Sequence, residues 1–205
     1  QKLRPDSSLY HVPFAFAIDG AIDPERFRVA FRALVAGCDA LRSVVVETGG
    51  VPRVKVLAEQ DAEIARVDLS RDRDPDGAAQ RWMRERCHRP MNLSECLFDC
   101  ALLRLSEYRW VWYLNLHHLI SDFGSMTVIF RRVQELYRAV SEGSTGPSLL
   151  LPSFAQRVER ERRERLAGRV RRADEYWERK LAGEAEPLSM YGGPPPGMST
   201  RARRI

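Results

Sequence analysis

The sequence predicts an α/β fold. Three observations carry that expectation: β-rich runs alternate with amphipathic helical runs, caps and turn residues fall at the junctions between them, and one strand is apolar on both faces. A strand of that last kind belongs inside a sheet that is covered on both sides.

The first run, YHVPFAFAIDG from Tyr10 to Gly20, reads as a strand closed by Asp19-Gly20. Asp23 then caps a helix that has Pro24 at its first position, where a missing N–H is harmless, and Phe27, Phe31, Leu34 and Val35 line one face. LRSVVVETGGVPRVKVLA holds two β-rich runs around Gly49-Gly50, the pattern of a hairpin, and DPDGAAQRWMRERCHRPMNL is a second helix that stops before Pro90. From Phe98 to His118 come two more strands, FDCALLRL and RWVWYLNLHH. In the second, Trp110, Trp112, Leu114 and Leu116 share one face while Val111, Tyr113, Asn115 and His117 share the other. A long helix follows, capped at Ser121 or Asp122, with Met126, Ile129, Phe130, Val133, Leu136, Tyr137 and Val140 at three- and four-residue spacing. A last helical tract spans about residues 153–181, and the Pro- and Gly-rich remainder reads as an extended connection.

Composition narrows the function classes. The 205 residues are 44% hydrophobic, enough to bury the core of one globular domain or a large piece of one. No run of 18 apolar residues occurs and QKLRPDSSLYHVP carries no apolar signal segment, so a cytoplasmic location without a membrane partner is expected. Cys38, Cys87, Cys96 and Cys100 form no CxxC pair and are expected to be reduced and mostly buried. The net charge of +5 comes largely from residues 157–180, where arginines alternate with glutamates. Mixed signs at helical spacing make a solvated helix face rather than a nucleic-acid surface.

The chemistry concentrates in NLHHLISDFGS, Asn115 to Ser125. Neighbouring strand residues point to opposite faces, so His117 and His118 cannot share one task, and one of them is expected to be structural. The strand ends there and a helix begins near Asp122, so a side chain at the junction can reach a cleft beyond the strand's carboxyl end. A neutral imidazole in that place can accept a proton near pH 7. Opposite-facing imidazoles with no third His or Cys close by in sequence argue against a metal site. Taken alone, the pair is equally compatible with buried histidines beside an ordinary helix cap.

Flanking segments add to this. HHLISDFGS resembles the HHxxxDG signature of the condensation domains of non-ribosomal peptide synthetases, shared with chloramphenicol acetyltransferase-like acyltransferases. LVAGCDALRSVVVETGGVPRVKV is similar to the family's RHExLRTxF region, LPSFAQRVERE to its YxDFAxWQ segment, and QKLRPDSSLYHVP and DEYWERKLAGEAEPL to its opening and later stretches, all in family order. The resemblance implies a chloramphenicol acetyltransferase-like lobe, a mixed β-sheet flanked by helices that is half of a two-lobed pseudo-dimeric domain. Residues 1–185 would be the N-terminal lobe without its opening helix, and residues 186–205 the start of a crossover toward a second lobe. The activity implied is amide formation between a carrier-bound acyl or peptidyl thioester and a carrier-bound aminoacyl amine. No cofactor is bound directly: phosphopantetheine arms of upstream and downstream carrier proteins deliver the substrates, and neighbouring synthetase domains are the other partners.

Carried over by position, His118 is the catalytic residue, which either takes a proton from the attacking amine or orients it. His117 packs inside the fold, and Asp122 makes a structural salt bridge with Arg42. Phe123 stands where the motif has Gly, with Gly124 and Ser125 after it, so the ring narrows the channel, turns into the core or gates acceptor entry. The RHExLRT region has Gly37, Cys38, Asp39 and Ser43 in place of its usual Arg, His, Glu and Thr, while Leu41 and Arg42 remain. A free-standing acyltransferase, an epimerization domain and a degenerate carrier-docking lobe are the alternatives.

Overall fold

The structure, a computed structural model, describes residues 7–144, 151–168 and 171–183. The chain divides into two compact units, residues 1–155 and 156–205. The first unit carries strands β1 (His11–Asp19), β2 (Ser43–Thr48), β3 (Val51–Val56), β4 (Ile64–Asp68), β5 (Phe98–Arg104) and β6 (Arg109–His117). Its helices are α1 (Pro24–Gly37), α2 (Pro75–Cys87) and α3 (Phe123–Glu142). Four strands form one sheet in the order β1-β6-β5-β4, with β4 and β5 parallel and the other pairs antiparallel. This is the mixed sheet flanked by helices that the resemblance implies.

β6 lies at the centre of the architecture because both of its faces are apolar. Trp112, Leu114 and Leu116 pack with Phe27, Phe31 and Leu34 of α1 and Met126, Ile129 and Val133 of α3. Trp112 stacks with Phe130, lies tilted against Phe16 and meets Phe27 and Phe31 edge-on, so one ring ties β1, β6, α1 and α3 together. On the opposite face, Tyr113 packs with Ala101 and Leu103 beneath Ala79, Trp82 and Met83 of α2.

Local signals explain most boundaries. The Asp23 carboxylate accepts from the N–H groups of Glu25 and Arg26 to start α1, and Asp74 accepts from Gly77 to start α2. Gly49 and Gly50 both have positive φ, 59° and 76°, which closes the two-residue β2–β3 hairpin with the twist its strands need. Gly143, at φ 65°, ends α3 in the left-handed conformation.

Two features depart from the sequence reading. β4 had no clear strand signal, because it is short and takes its order from β5, with Ile64 beside Cys100. The final helical tract is two helices, α4 (Phe154–Leu166) and α5 (Arg171–Leu181), and Gly168 at φ 70° interrupts it. Within these helices Arg157–Glu161, Arg163–Glu159 and Arg171–Glu175 pair at four-residue spacing, as a solvated charged face does. The expected crossover, residues 186–205, lies outside the described residues. No helix among the described residues is long and apolar enough to cross a membrane. All four cysteines are free thiols: Cys100 is buried, and Cys38, Cys87 and Cys96 are half-buried.

Candidate active site

The end of β6 is held from both sides. The backbone N–H of His117 donates to the Leu97 carbonyl and that of His118 to the Tyr10 carbonyl, each at 2.8 Å. The chain then turns tightly: Ile120 N–H and Ser121 Oγ–H both donate to the His117 carbonyl, at 3.0 and 3.2 Å. Asp122 caps α3 immediately afterwards.

The two histidines part company here. His117 is buried on the α2 side of the sheet, and its Nδ1 accepts from the Leu119 N–H at 3.1 Å. The proton of the neutral ring is therefore on Nε2, which is buried without a hydrogen-bond partner among the described residues. Burial, and after it the neighbouring His11, pushes the His117 pKa down to about 4, so the ring is neutral at pH 7. His118 is exposed, and its Nδ1 lies 2.8 Å from the Ser121 carbonyl oxygen. A carbonyl can only accept, so Nδ1 carries the proton and Nε2 is the free acceptor of the neutral ring. One imidazole is thus a wedge inside the fold, and the other presents an open lone pair.

Asp122 and Arg42 form no ion pair among the described residues. The Asp122 carboxylate accepts from Ser125 N–H at 2.8 Å and Ser125 Oγ–H at 2.7 Å, while Ser125 Oγ accepts from Asp122 N–H at 3.1 Å. This is a closed capping box, and its hydrogen bonds hold the Asp122 carboxyl below its ordinary pKa. Arg42 instead donates through Nη1 to the carbonyls of Leu57 and Ala58, tying the start of β2 to the end of β3. The expected salt bridge is corrected accordingly: Ser125, three residues on, satisfies the carboxylate locally, and the guanidinium finds backbone acceptors.

Phe123, the first residue of α3, is 83% exposed, so the ring does not turn into the core. Gly124 follows, where an added Cβ would meet only Asp122 Oδ1 at an ordinary 3.5 Å.

Sequence reasoning missed the support beneath the site. β1 pairs with β6 so that His11 lies directly opposite His117, their ring centroids 6.0 Å apart at 69°. His11 Nδ1–H donates to the Cys87 carbonyl at the end of α2, 3.0 Å away. Asn115, 1% exposed, keeps Oδ1 unpartnered among the described residues, and it was the one legible signal, an amide in an apolar strand. Asn115 also lines a cleft of about 250 Å³ with Arg86, Arg89, Asn92, Glu95 and Asp99. In that cleft Arg86 and Asp99 make a two-point ion pair at 2.7 and 2.9 Å. No group of three or more His, Cys, Asp or Glu side chains that could hold a metal occurs among the described residues.

The site geometry sits in a lobe with known relatives. A family model described as Condensation domain matches residues 1–202. The chain belongs to the condensation-domain family of non-ribosomal peptide synthetases. It is 31% identical over 184 residues to the isonitrile lipopeptide synthase of Streptomyces coeruleorubidus, covering 89% of this chain and 12% of that protein. It is 30% identical over 190 residues to bacitracin synthase 3 of Bacillus licheniformis, covering 92% of this chain and 3% of that one. The starter condensation domain of rhizomide synthetase superposes with a TM-score of 0.82 at 29% identity, covering 91% of this chain and 48% of that one. The first condensation domain of the calcium-dependent antibiotic synthetase gives 0.82 at 30% identity, covering 92% and 46%. The condensation-domain lobe therefore spans about half the length of these solved condensation domains and a small part of the multimodular synthetases.

Proposed function

We propose that this chain is the N-terminal lobe of a two-lobed condensation domain and that His118 is its catalytic residue. The reaction joins an acyl or peptidyl thioester on one carrier protein to the amine of an aminoacyl group on another, each substrate arriving on a phosphopantetheine arm. The upstream and downstream carriers and the neighbouring synthetase domains are the partners. No cofactor is bound directly.

The observation that carries the reading is the His118 imidazole, exposed at the end of β6 with Nδ1 engaged by Ser121 and Nε2 left open. Nε2 accepts a hydrogen bond from the acceptor amine and so directs the amine's own lone pair at the thioester carbon. The C–N bond forms and the C–S bond breaks, and the proton that the amine nitrogen gives up ends on the sulfur of the donor arm, which leaves as the thiol. The thioester is already activated, so holding two arms in line supplies much of the rate, up to several kcal/mol. No serine or cysteine nucleophile is needed. Burial raises the thiol pKa of Cys100, and that of the half-buried Cys38 and Cys96, away from the thiolate.

A variant of the rhizomide synthetase starter condensation domain has been solved in complex with C8-CoA and Leu-SNAC. The same pairing is the starting choice for a test. The two-lobed domain is offered an acyl-loaded upstream carrier with a downstream carrier bearing either an aminoacyl group or its hydroxyacyl counterpart. Amide product on the aminoacyl carrier supports the reading. Ester product alone would move the chain to an alcohol-acylating acyltransferase, and epimerised substrate without joining would move it to an epimerization domain.

A further inference from the structure

The end of β6 holds two imidazoles whose protons are fixed from opposite sides. His11 donates through Nδ1 to the Cys87 carbonyl, 3.0 Å away, so in the neutral ring Nε2 is bare and can only accept. His117 accepts at Nδ1 from the Leu119 N–H, 3.1 Å away, so in the neutral ring Nε2 carries the proton and can only donate. The two assignments come from different elements, the end of α2 and the turn after β6. They nevertheless leave a complementary acceptor and donor on two residues that the β1–β6 register sets directly opposite. Both Nε2 atoms are buried, and neither has a hydrogen-bond partner among the described residues. The ring centroids lie 6.0 Å apart at 69°, so the nitrogens do not bond directly. A water accepts from one group and donates to another, which suits a buried gap between a donor and an acceptor.

His117 is also the hub of the turn that carries the exposed imidazole. Its Nδ1 takes the Leu119 N–H, and its carbonyl takes the Ile120 N–H and the Ser121 hydroxyl. The Ser121 carbonyl in turn holds His118 Nδ1 at 2.8 Å. A His117 ring protonated on Nδ1 would set one N–H against another at Leu119 and loosen this turn. We infer that His11 is a positioning residue for the joining reaction: through one bridging water its bare Nε2 accepts from His117 Nε2–H, which keeps His117 in the tautomer that Leu119 requires and so holds the turn that aims His118. The inference rests on the reading of His118 as the reacting imidazole. Donors and acceptors then alternate without a break from the Cys87 carbonyl through His11 and His117 to Leu119.

The test compares the two-lobed domain as wild type, His11→Asn and His11→Gln. Asn reaches the Cys87 carbonyl as Nδ1 does but has no atom in the place of Nε2, whereas Gln puts an acceptor oxygen there and gives up the short donor. The expected order of rates therefore differs from the order of stabilities. His11→Asn should lower kcat about tenfold with KM for both loaded carriers unchanged, the low end for a partner that sets the tautomer of a metal-binding histidine. His11→Gln should restore most of that rate while melting lower than His11→Asn. In nitrogen NMR spectra of the histidine rings, wild-type His117 should carry its proton on Nε2 alone, and His11→Asn should show both tautomers. Wild-type kcat in His11→Asn would overturn the inference, as would rates that simply follow melting temperature. A His117 protonated on Nδ1 in wild type, or a tautomer unchanged in His11→Asn, would overturn it as well. The ring spectra do not depend on the reaction. If His118→Ala joins the substrates at the wild-type rate, the catalytic reading falls, while a mixed His117 tautomer in His11→Asn would still show that His11 sets the ring beneath the turn.

Discussion

His118 Nδ1 and the Ser121 carbonyl oxygen, 2.8 Å apart, close the turn that follows β6 and fix the tautomer of the exposed imidazole. Asparagine can supply the same short donor without the distal nitrogen. His118→Asn should therefore keep the melting temperature within about two degrees of wild type, and His118→Ala should fall below it, as expected for a net hydrogen bond of about 1 kcal/mol. Equal melting temperatures for Asn and Ala would show that this bond does not organise the turn.

His117 ties stability to pH. Its folded pKa of about 4 lies below the ordinary 6.5, so between those values the unfolded chain binds a proton that the folded chain refuses. The contribution is fully present above pH 6.5 and is lost as the pH falls toward 4. Urea unfolding across that window should show uptake of up to one proton in wild type and less in His117→Gln. The same slope in both would assign the titration to other groups.

Asp122 should behave as a helix cap. Asp122→Ala is expected to lower the melting temperature by a few degrees and Asp122→Asn by much less, since Asn also caps. The depressed pKa gives the acid limb the matching sign: the cap's ionic share is present above the ordinary carboxyl range and is lost as the pH falls through the folded value. A collapse of the fold in Asp122→Asn would instead restore the ion pair with Arg42.

Arg86 and Asp99 are about three-quarters buried, with side-chain exposures of 28% and 22%. The Asp99 hydrogen bonds raise the Arg86 pKa and keep the guanidinium charged. Removing one partner strands the other in the cleft beside Asn115. Asp99→Ala should cost about 1–2 kcal/mol in denaturant unfolding, between the values for surface and fully buried pairs. A double replacement of Arg86 by Met and Asp99 by Leu should recover part of it, and no recovery would show that the cost does not come from an unpaired charge.

Local chemistry made much of this molecule legible in the sequence. The α1 cap at Asp23, the Gly49-Gly50 hairpin and the two apolar faces of β6 are each written within a dozen residues. Features set by distant strands were hidden. β4 is a strand because β5 runs beside it, and His11 supports the site because the β1–β6 register sets it opposite His117. The Asp122 pairing failed for the opposite reason: the carboxylate is satisfied by Ser125 in its own helix turn, closer than any partner from the Arg42 segment.

The most direct measurement is the single-turnover rate of amide formation by the two-lobed domain with both carriers loaded, read as product mass on the downstream carrier, for wild type beside His118→Ala. A catalytic His118 predicts product in wild type and a loss of about 10²–10⁴-fold in the variant, the range for a positioned catalytic side chain. Equal rates, or no product from either protein, would contradict it.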